Sequence, residues 1–402
     1  MTDRSDLAEE VRAWVRGAWD PDLTVREWWA RLADAGWAHP TWPAGTGGSG
    51  RSLGEARAVL AVLAEHDVVA PPRGIVGADL AVPTILAHGT PEQVAALVPP
   101  VARGEAAWCQ LFSEPGAGSD LPALSTRAVR DGDGWVVTGQ KVWSSGADQA
   151  DLGMLLARTE DRPGRAGITY FAIDLHQPGV EVRPLRVMSG EAPFCEVFLT
   201  EARVPDAMRI GERGQGWAVA RTTLAAERTM VAGGALPGLH PARAGRAGDL
   251  DRTCREVIDR SRARAAAQPS PLRSGAVPAR LMLDLAREHG RAGDPLIRQE
   301  LARYWSQVKV NGWTMRRSAA AGGRLTGADG SIAKLATARI CQQSRDLSYR
   351  IVGAPLLLAG EASPFAGDLQ RVNLASPGTR IGGGTDEIQL TTLAERALGL
   401  PR

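Results

Sequence analysis

The spacing of apolar residues divides the chain into three zones. In the first zone apolar residues recur at helical spacing, and Thr24-Val-Arg-Glu27, Ser52-Leu-Gly-Glu55 and Thr90-Pro-Glu-Gln93 each have the form of a capping box that opens an amphipathic helix. The stretch from His39 to Gly50 is rich in Pro and Gly and predicts a loop between two of these helices. The first zone, residues 1–106, is therefore predicted to be a helical domain.

In the second zone, residues 107–212, the apolar period changes to two. Apolar and β-branched runs alternate with turn residues, which indicates a small β domain. Asp131-Gly132-Asp133-Gly134 lies between two alternating runs and predicts a hairpin. The other strands are predicted at residues 153–157, 168–173, 180–187 and 195–199.

The third zone, residues 213–402, returns to the helical period. Long helices are predicted over residues 217–231, 295–320 and 331–352, and helices of this length typically pack as an antiparallel bundle. Residues 233–278 interrupt them with a segment rich in Ala, Arg, Gly and Pro that contains one predicted short helix, 249–266. We interpret that segment as an insertion or mobile excursion, and the fold class as α+β.

Composition and charge exclude several function classes. Of 402 residues 44% are hydrophobic and 23% charged, the balance of a globular chain of two or three domains. The 47 basic and 45 acidic residues give a net charge of +2, too small a field to indicate nucleic acid or an anionic membrane as partner. The acidic, polar start predicts no signal peptide, and no apolar run approaches the ~20 residues of a membrane span. We expect a cytoplasmic protein.

The metal-binding residue types are scattered. Cys109, Cys195, Cys254 and Cys341 are far apart, and the six histidines form no pair at ligand spacing. The sequence therefore predicts reduced, structural cysteines and no metal site.

The most informative stretch runs from Trp108 to Ala147. Its first half places Ser113-Glu114-Pro115-Gly116-Ala117-Gly118-Ser119-Asp120 directly after a short apolar strand. Glycines at 116 and 118 allow unusual backbone angles, while serine hydroxyls and successive amides can surround a phosphate. The second half ends in Trp143-Ser144-Ser145, an aromatic ring followed by two hydroxyls, which suits a flat ring system. A plain surface turn and an ordinary core tryptophan are the alternatives for the two pieces taken singly.

SEPGAGSD followed by GQKVWSSGA resembles the paired flavin-binding signature of the acyl-CoA dehydrogenases, and the similarity extends over nearly the whole chain. The resemblance implies an N-terminal helical domain, a middle β-barrel-like domain and a C-terminal four-helix bundle. It implies FAD as cofactor, an acyl-CoA as substrate and an electron-transfer flavoprotein as electron acceptor. It also implies a homo-oligomer or a heteromer with a homologous subunit.

The resemblance carries over to individual residues. The implied FAD contacts are Phe112, Ser113, Gly118, Ser119, Trp143, Ser144, Ser145, Thr385 and Glu387, with Arg287, Gln299, Arg350 and Gly353 toward the adenine end. The implied substrate contacts are Ser119, Arg228, Gly383 and Gly384.

The position of the catalytic base separates two branches of the family. One branch keeps its glutamate in the turn before the last helix, where this chain has Gly383. A second branch, which includes the isovaleryl- and long-chain-type enzymes, places it on a bundle helix directly before an arginine. Glu227-Arg228 in LAAERTM matches that branch, so the resemblance implies Glu227 as the base.

Two departures from the family pattern fall at the adenine end of the cofactor site. An Arg-x-x-Phe-Gly element is missing, and Arg287-Glu288-His289-Gly290 stands in its region. The glutamine expected before Ile-x-Gly is Arg350, whose guanidinium could bind the pyrophosphate of a neighbouring subunit's FAD in a bidentate manner.

The sequence is also consistent with two other functions. One is a flavin monooxygenase on the same scaffold, which needs no glutamate base; the other is a mainly structural subunit of a heteromeric acyl-CoA dehydrogenase. The sequence does not identify the acyl group, because a single pocket residue can change chain-length preference.

Overall fold

The computed structural model of the chain describes residues 4–230, 238–267, 272, 275–320 and 327–401, without the side chains of residues 4, 228–230, 318–320 and 327. The α-helices are α1 Arg4–Ala18, α2 Val25–Asp34, α3 Leu53–Glu65, α4 Val82–His88, α5 Pro91–Ala102, α6 Gly216–Met230, α7 Cys254–Ala267, α8 Ala279–Glu288, α9 Pro295–Ala320, α10 Gly327–Val352, α11 Asp368–Ala375 and α12 Asp386–Thr392. The strands are β1 Val68–Val69, β2 Trp108–Leu111, β3 Arg127–Asp131, β4 Gly134–Ser145, β5 Leu152–Arg158, β6 Ile168–Asp174, β7 Val180–Leu185, β8 Phe194–Pro205, β9 Arg209–Ile210 and β10 Leu239–His240.

These elements form two compact units. The first contains Met1–Leu185 and Ala192–Ala267, and the second contains Arg186–Glu191 and Gln268–Arg402. Across the described ranges, no helix is both long enough and apolar enough to span a bilayer.

The predicted capping boxes of the N-terminal helices are confirmed. Thr24, Ser52 and Thr90 each accept a hydrogen bond from the amide three residues later, and the side chain at that position bonds back to the cap amide. Trp28 and Trp29 of α2 are fully buried, and their indole N–H groups donate to the carbonyls of Val69 and Ala70 at 2.8 Å. The two indoles of α2 are therefore buried with their N–H groups hydrogen-bonded.

The middle zone forms one eight-stranded sheet with the path β7-β8-β4-β3-β5-β6-β9, and β2 pairs with β5 in parallel. The predicted hairpin is confirmed: β3 and β4 pair antiparallel, with Asp131 opposite Gly134. Gly132 has φ +60°, a left-handed angle that glycine adopts without steric cost. Because β2 is hydrogen-bonded to β5, the starting point of the loop that follows β2 is fixed.

Helix α6 is positioned by the middle sheet and the N-terminal helices. It lies in the first unit, against α4 and β6, whereas α9 and α10 pack on each other in the second unit. Its N-terminus is held closely, because a Cβ atom on Gly216 would lie only 2.5 Å from the backbone of Thr169. The sheet and the N-terminal helices thus fix the direction of α6.

The segment predicted to be a mobile excursion is packed where the structure describes it. β10 pairs in parallel with β1, and Thr24 forms a bridge with Thr253. Asp249 is completely buried and is bonded by Arg260 at 2.8 Å. Residues 238–267 therefore form part of the first unit, and the predicted short helix is α7.

The loop between α2 and α3 contains a histidine that should make stability acid-sensitive. Burial lowers the pKa of His39 from 6.5 to about 4, although its Nε2 lies 2.8 Å from the Pro72 carbonyl. Between these pH values the unfolded chain binds a proton that the folded chain does not, so stability should fall as pH drops from 6.5 toward 4.

A His39→Gln variant should lose this pH dependence. It should be less stable than the wild type at pH 7, and the difference should shrink by about 1–3 kcal/mol near pH 4.5, since one pKa unit corresponds to ~1.4 kcal/mol. Urea unfolding at several pH values measures it. If the unfolding free energies of the two proteins changed equally with pH, the low pKa assigned to His39 would be wrong.

Candidate active site

The two halves of the Trp108 to Ala147 stretch lie side by side. Phe112, directly after β2, is buried and meets the ring of Tyr170 edge-on at 5.8 Å. The carbonyl of Ser113 accepts a hydrogen bond of 2.9 Å from the amide of Val142 in β4. Glu114 and Ala117 exchange two backbone hydrogen bonds of 3.0 Å, which closes a tight turn. The loop therefore begins in direct contact with β4.

The outer part of the loop is open to solvent. Gly118 and Ser119 are exposed, and a Cβ atom placed on Gly116 or Gly118 would meet nothing within 4 Å. Neither glycine has a positive φ, so the expected unusual backbone angles are absent at these two positions. Their contribution is instead the free space that their missing side chains leave beside the loop.

Trp143 occupies a strained position on β4. The strand register shifts between Lys141 and Ser144, and Trp143 has φ +63°, which is rare for a bulky residue. The bulge turns the ring outward, where it is 55% exposed and meets Phe194 edge-on at 5.6 Å. The hydroxyl of Ser144 is buried without a hydrogen-bond partner, while Ser145 is exposed. An exposed ring beside an unpaired hydroxyl suits a flat ligand with a polar edge.

Beneath the loop lies a buried ion pair that the sequence analysis did not predict. Lys141 Nζ donates to Glu114 Oε1 at 2.8 Å and to the Phe112 carbonyl at 3.1 Å. Burial lowers the pKa of Lys141 to about 8, against the attraction of Glu114. Burial alone would raise the pKa of Glu114, but the ammonium charge and the hydrogen bonds outweigh it and bring that pKa to about 2. Both groups are therefore charged at neutral pH.

Glu227 lies on α6, partly buried and close to strand β2. Gln110 Nε2 lies 3.5 Å from Glu227 Oε2, at the long limit of a hydrogen bond. A carboxylate at this place can accept a proton, and the amide can help to orient it. Its neighbour Arg228 has a side chain outside the described residues. Gln110 was missed from the sequence, where its only signal is a polar residue inside a short apolar strand.

A chain of hydroxyls anchors α6 one turn before Glu227. Thr223 Oγ1 lies 2.8 Å from Thr84 Oγ1 on α4 and 3.2 Å from the Tyr170 hydroxyl on β6. All three side chains are almost completely buried. Because each hydroxyl has a partner in a different element, rotation of α6 would leave buried polar atoms unpaired. The direction in which Glu227 points is thus set by the surrounding fold.

In the second unit, the glycine turn before α12 forms as a helix cap. Gly383 and Gly384 have φ +67° and +86°, and the Thr385 hydroxyl accepts from the amide of Ile388 at 3.3 Å. The Gly383 carbonyl accepts a 2.7 Å hydrogen bond from Gln389. Glu387 is exposed on the first turn of the helix.

The residues expected at the adenine end have local partners or solvent around them. Arg350 forms an ion pair with Glu300 of α9, and Arg287 pairs with Asp284 at 3.1 Å. Gln299 is exposed, as is Gly353, which has φ +71° just after α10. The Arg350 guanidinium would have to leave Glu300 in order to bind a phosphate.

A cleft of about 480 Å³ adjoins the loop at Asp120. Arg158 and Arg162 contribute to its wall. Arg158 Nη2 donates to the carbonyl of Pro122 at 2.8 Å, so this guanidinium also braces the chain just after the loop. Asp120 and Asp161 line the cleft as well, so its wall carries both cationic and acidic side chains.

Three family models match the chain. Residues 4–105 match the acyl-CoA dehydrogenase N-terminal domain, residues 109–202 the middle domain, and residues 259–398 the C-terminal domain. Among curated relatives, acyl-CoA dehydrogenase FadE34 of Mycobacterium tuberculosis is 39% identical over 92% of this chain. The match spans only 46% of that relative's length. Acyl-CoA dehydrogenase IpdE1 of the same organism is 34% identical over 94% of this chain and 88% of its own.

Solved structures resemble the chain over its full length. The Tcur3481-Tcur3483 steroid ACAD is 26% identical with a TM-score of 0.69, covering 100% of this chain and 98% of that one. The ChsE4-ChsE5 complex from Mycobacterium tuberculosis is 28% identical with a TM-score of 0.66 and the same coverage.

Proposed function

The chain belongs to the acyl-CoA dehydrogenase family and has its three-domain architecture, and on that premise we propose that it catalyses the FAD-dependent α,β-dehydrogenation of an acyl-CoA thioester. The observation that carries the proposal is the position of Glu227. This carboxylate stands on a helix fixed by buried hydroxyls and faces the strand that leads into the flavin-signature loop. Electrons would pass on to an electron-transfer flavoprotein.

The residues of the first unit fit the cofactor that the family uses. The Trp143 ring is more than half exposed, the Ser144 hydroxyl lacks a partner, and open space adjoins Gly116 and Gly118. A ring system could pack on Trp143, and phosphates could lie against the loop amides and the Ser119 hydroxyl. Bound FAD would supply the acceptor for the hydride that leaves the β-carbon of the substrate.

The chain itself would supply the proton acceptor. Glu227 would take the α-proton of the thioester, and Gln110 would help to hold the carboxylate in the orientation for transfer. In the second unit, Gly383, Gly384 and Thr385 remain the substrate and cofactor contacts that the resemblance implies, and they form the turn and cap before α12.

We further infer assembly with a homologous subunit, and a bulky, ring-bearing acyl group as substrate. The related solved structures include the ChsE4-ChsE5 complex and the Tcur3481-Tcur3483 steroid ACAD. On α9, Trp305, Val310 and Trp313 are 41%, 54% and 58% exposed, which is an apolar helix face of the kind that subunits cover. The runner-up is a mainly structural role within such a heteromer, which the adenine-end departures favour.

The test is the cofactor and its reduction by substrate. The chain, alone or with a homologous partner, should purify with FAD, and anaerobic addition of one member of a panel of short, branched, long and steroid-derived acyl-CoAs should bleach the flavin. FMN in place of FAD would remove the proposal. FAD that no acyl-CoA reduces would favour the structural role.

Trp143 should contribute to FAD binding and little to folding. Trp143→Ala should weaken FAD binding about 5- to 150-fold, because a base-stacking aromatic contributes on the order of 1–3 kcal/mol. The melting temperature of the apo-protein should hardly change, since the ring is mostly exposed and alanine meets the same backbone strain. Fluorescence titration with FAD and thermal melts measure the two effects.

Trp135 on the same strand is the matched control. Its ring is 3% exposed and its indole N–H donates to Asp206 at 2.7 Å, so Trp135→Ala should cost apo stability, about 3–5 kcal/mol. If Trp143→Ala destabilised the apo-protein as much, Trp143 would be ordinary core.

A further inference from the structure

Glu114 and Lys141 take no part in the proposed reaction, yet both side chains are almost completely buried. Within the part of the chain that the structure describes, this is the only ion pair in which both side chains are less than 5% exposed, at 4% and 0%. Two charges so far from water are costly unless every lone pair and proton is matched. The hydrogen bonds around the pair therefore show which segments of the chain it connects.

The carboxylate of Glu114 is bonded on both oxygens. Oε2 accepts from the amide and the hydroxyl of Ser125 at 2.6 and 2.7 Å. Oε1 accepts from the amide of Thr126 at 2.9 Å and from Lys141. These four bonds use the whole acceptor capacity of a carboxylate. The backbone at 125–126 is thereby fixed to the residue that opens the loop.

Lys141 binds the same loop from strand β4. Its ammonium binds both the Phe112 carbonyl and Glu114, so the two residues that flank Ser113 are attached to β4. Lys141 also stands immediately before the bulge that exposes Trp143. The pair therefore joins the end of β2, the segment at 125–126 and the start of the bulge, and two of these three carry the residues expected to bind flavin.

We propose that Glu114 and Lys141 are positioning residues of the cofactor site, which set the loop at 113–119 and the Trp143 bulge in their binding arrangement before the cofactor arrives. This inference rests on the proposed function, because it takes FAD as the ligand. A well-packed apolar pair could give equal stability, but it would not direct backbone groups of three segments to one point. The expected consequence of losing the pair is loss of cofactor affinity beyond any loss of stability.

The test compares FAD affinity with apo stability in the full chain, with its partner if FAD binding requires one. Lys141→Met leaves Glu114 buried without its cation and should lower both the melting temperature and FAD affinity. The double variant Glu114→Gln with Lys141→Met removes both charges and should melt closer to the wild type. Its FAD affinity should remain at least tenfold below that of the wild type, because the Phe112 carbonyl loses its donor.

Asp249→Asn is the matched control. Asp249 is another completely buried acid, bonded by Arg260 but remote in sequence from the flavin signature, so its loss should lower the melting temperature and leave FAD affinity unchanged. A double variant that binds FAD as tightly as the wild type would overturn the inference, and so would one that does not fold, since the pair would then serve folding itself. Wild-type protein that binds no FAD would instead refute the proposed function.

Discussion

Glu227→Gln should keep the flavin bound and slow its reduction by an acyl-CoA about 10²–10⁴-fold, the usual effect of removing a general base. Glutamine keeps the size of the side chain and its ability to form a hydrogen bond with Gln110, but it cannot accept the α-proton. Folding should be nearly unaffected, because Glu227 is only partly buried and the anchor of α6 is Thr223. Anaerobic stopped-flow bleaching of the flavin with one acyl-CoA measures the rate.

Glu212→Gln is the control for this experiment. Glu212 is exposed just before α6, and its nearest basic partner, Arg209, is 4.0 Å away, so its substitution should leave the rate unchanged. Equal reduction rates in wild type and Glu227→Gln would make Glu227 a helix-surface residue. The base would then lie elsewhere, or the chain would have the structural role.

Gly104→Ala should cost about 2–5 kcal/mol of unfolding free energy. Gly104 has φ +68°, where an L-residue costs roughly 1–2 kcal/mol, and its Cβ would lie 2.0 Å from the Trp29 ring, an overlap worth about 1–3 kcal/mol more. The ring cannot move aside freely, because its N–H is bonded to the Ala70 carbonyl. Urea unfolding of the apo-protein measures the loss.

Gly50→Ala separates the two contributions. Gly50 has φ +66°, close to that of Gly104, but a Cβ there would meet nothing within 4 Å. It should therefore lose only the backbone part, about 1–2 kcal/mol. Equal losses of unfolding free energy in the two variants would show that the core around Trp29 rearranges to accommodate the extra methyl group.

The features that the sequence predicted well are those encoded within a few residues. The capping boxes at Thr24, Ser52 and Thr90 need only two side chains three positions apart, and the hairpin at Gly132 needs only a turn dipeptide between alternating runs. These capping boxes and this hairpin can therefore form almost independently of the rest of the chain. Apolar periodicity likewise predicted the long helices to within about four residues of their described ends, with the predicted end at 231 outside the described residues.

The features that it could not predict depend on partners distant in sequence. No local pattern marks Lys141 and Glu114 as a buried pair, because they meet only when β4 is placed against the end of β2. Gln110 meets Glu227 only because α6 packs against α4 and β6, beside strand β2. The outward turn of Trp143 comes from a register shift between β4 and β8, which no local pattern signals.

The docking of residues 238–267 determines where the chain could be cut. Val25 and Arg26 donate backbone hydrogen bonds to Arg252 and Leu250, so the first helices are completed by chain more than two hundred residues later. A fragment that stopped at residue 212, where the sheet ends, would lack α6 and this segment and would expose part of its own core. The shortest N-terminal fragment suited to independent folding therefore extends through Ala267.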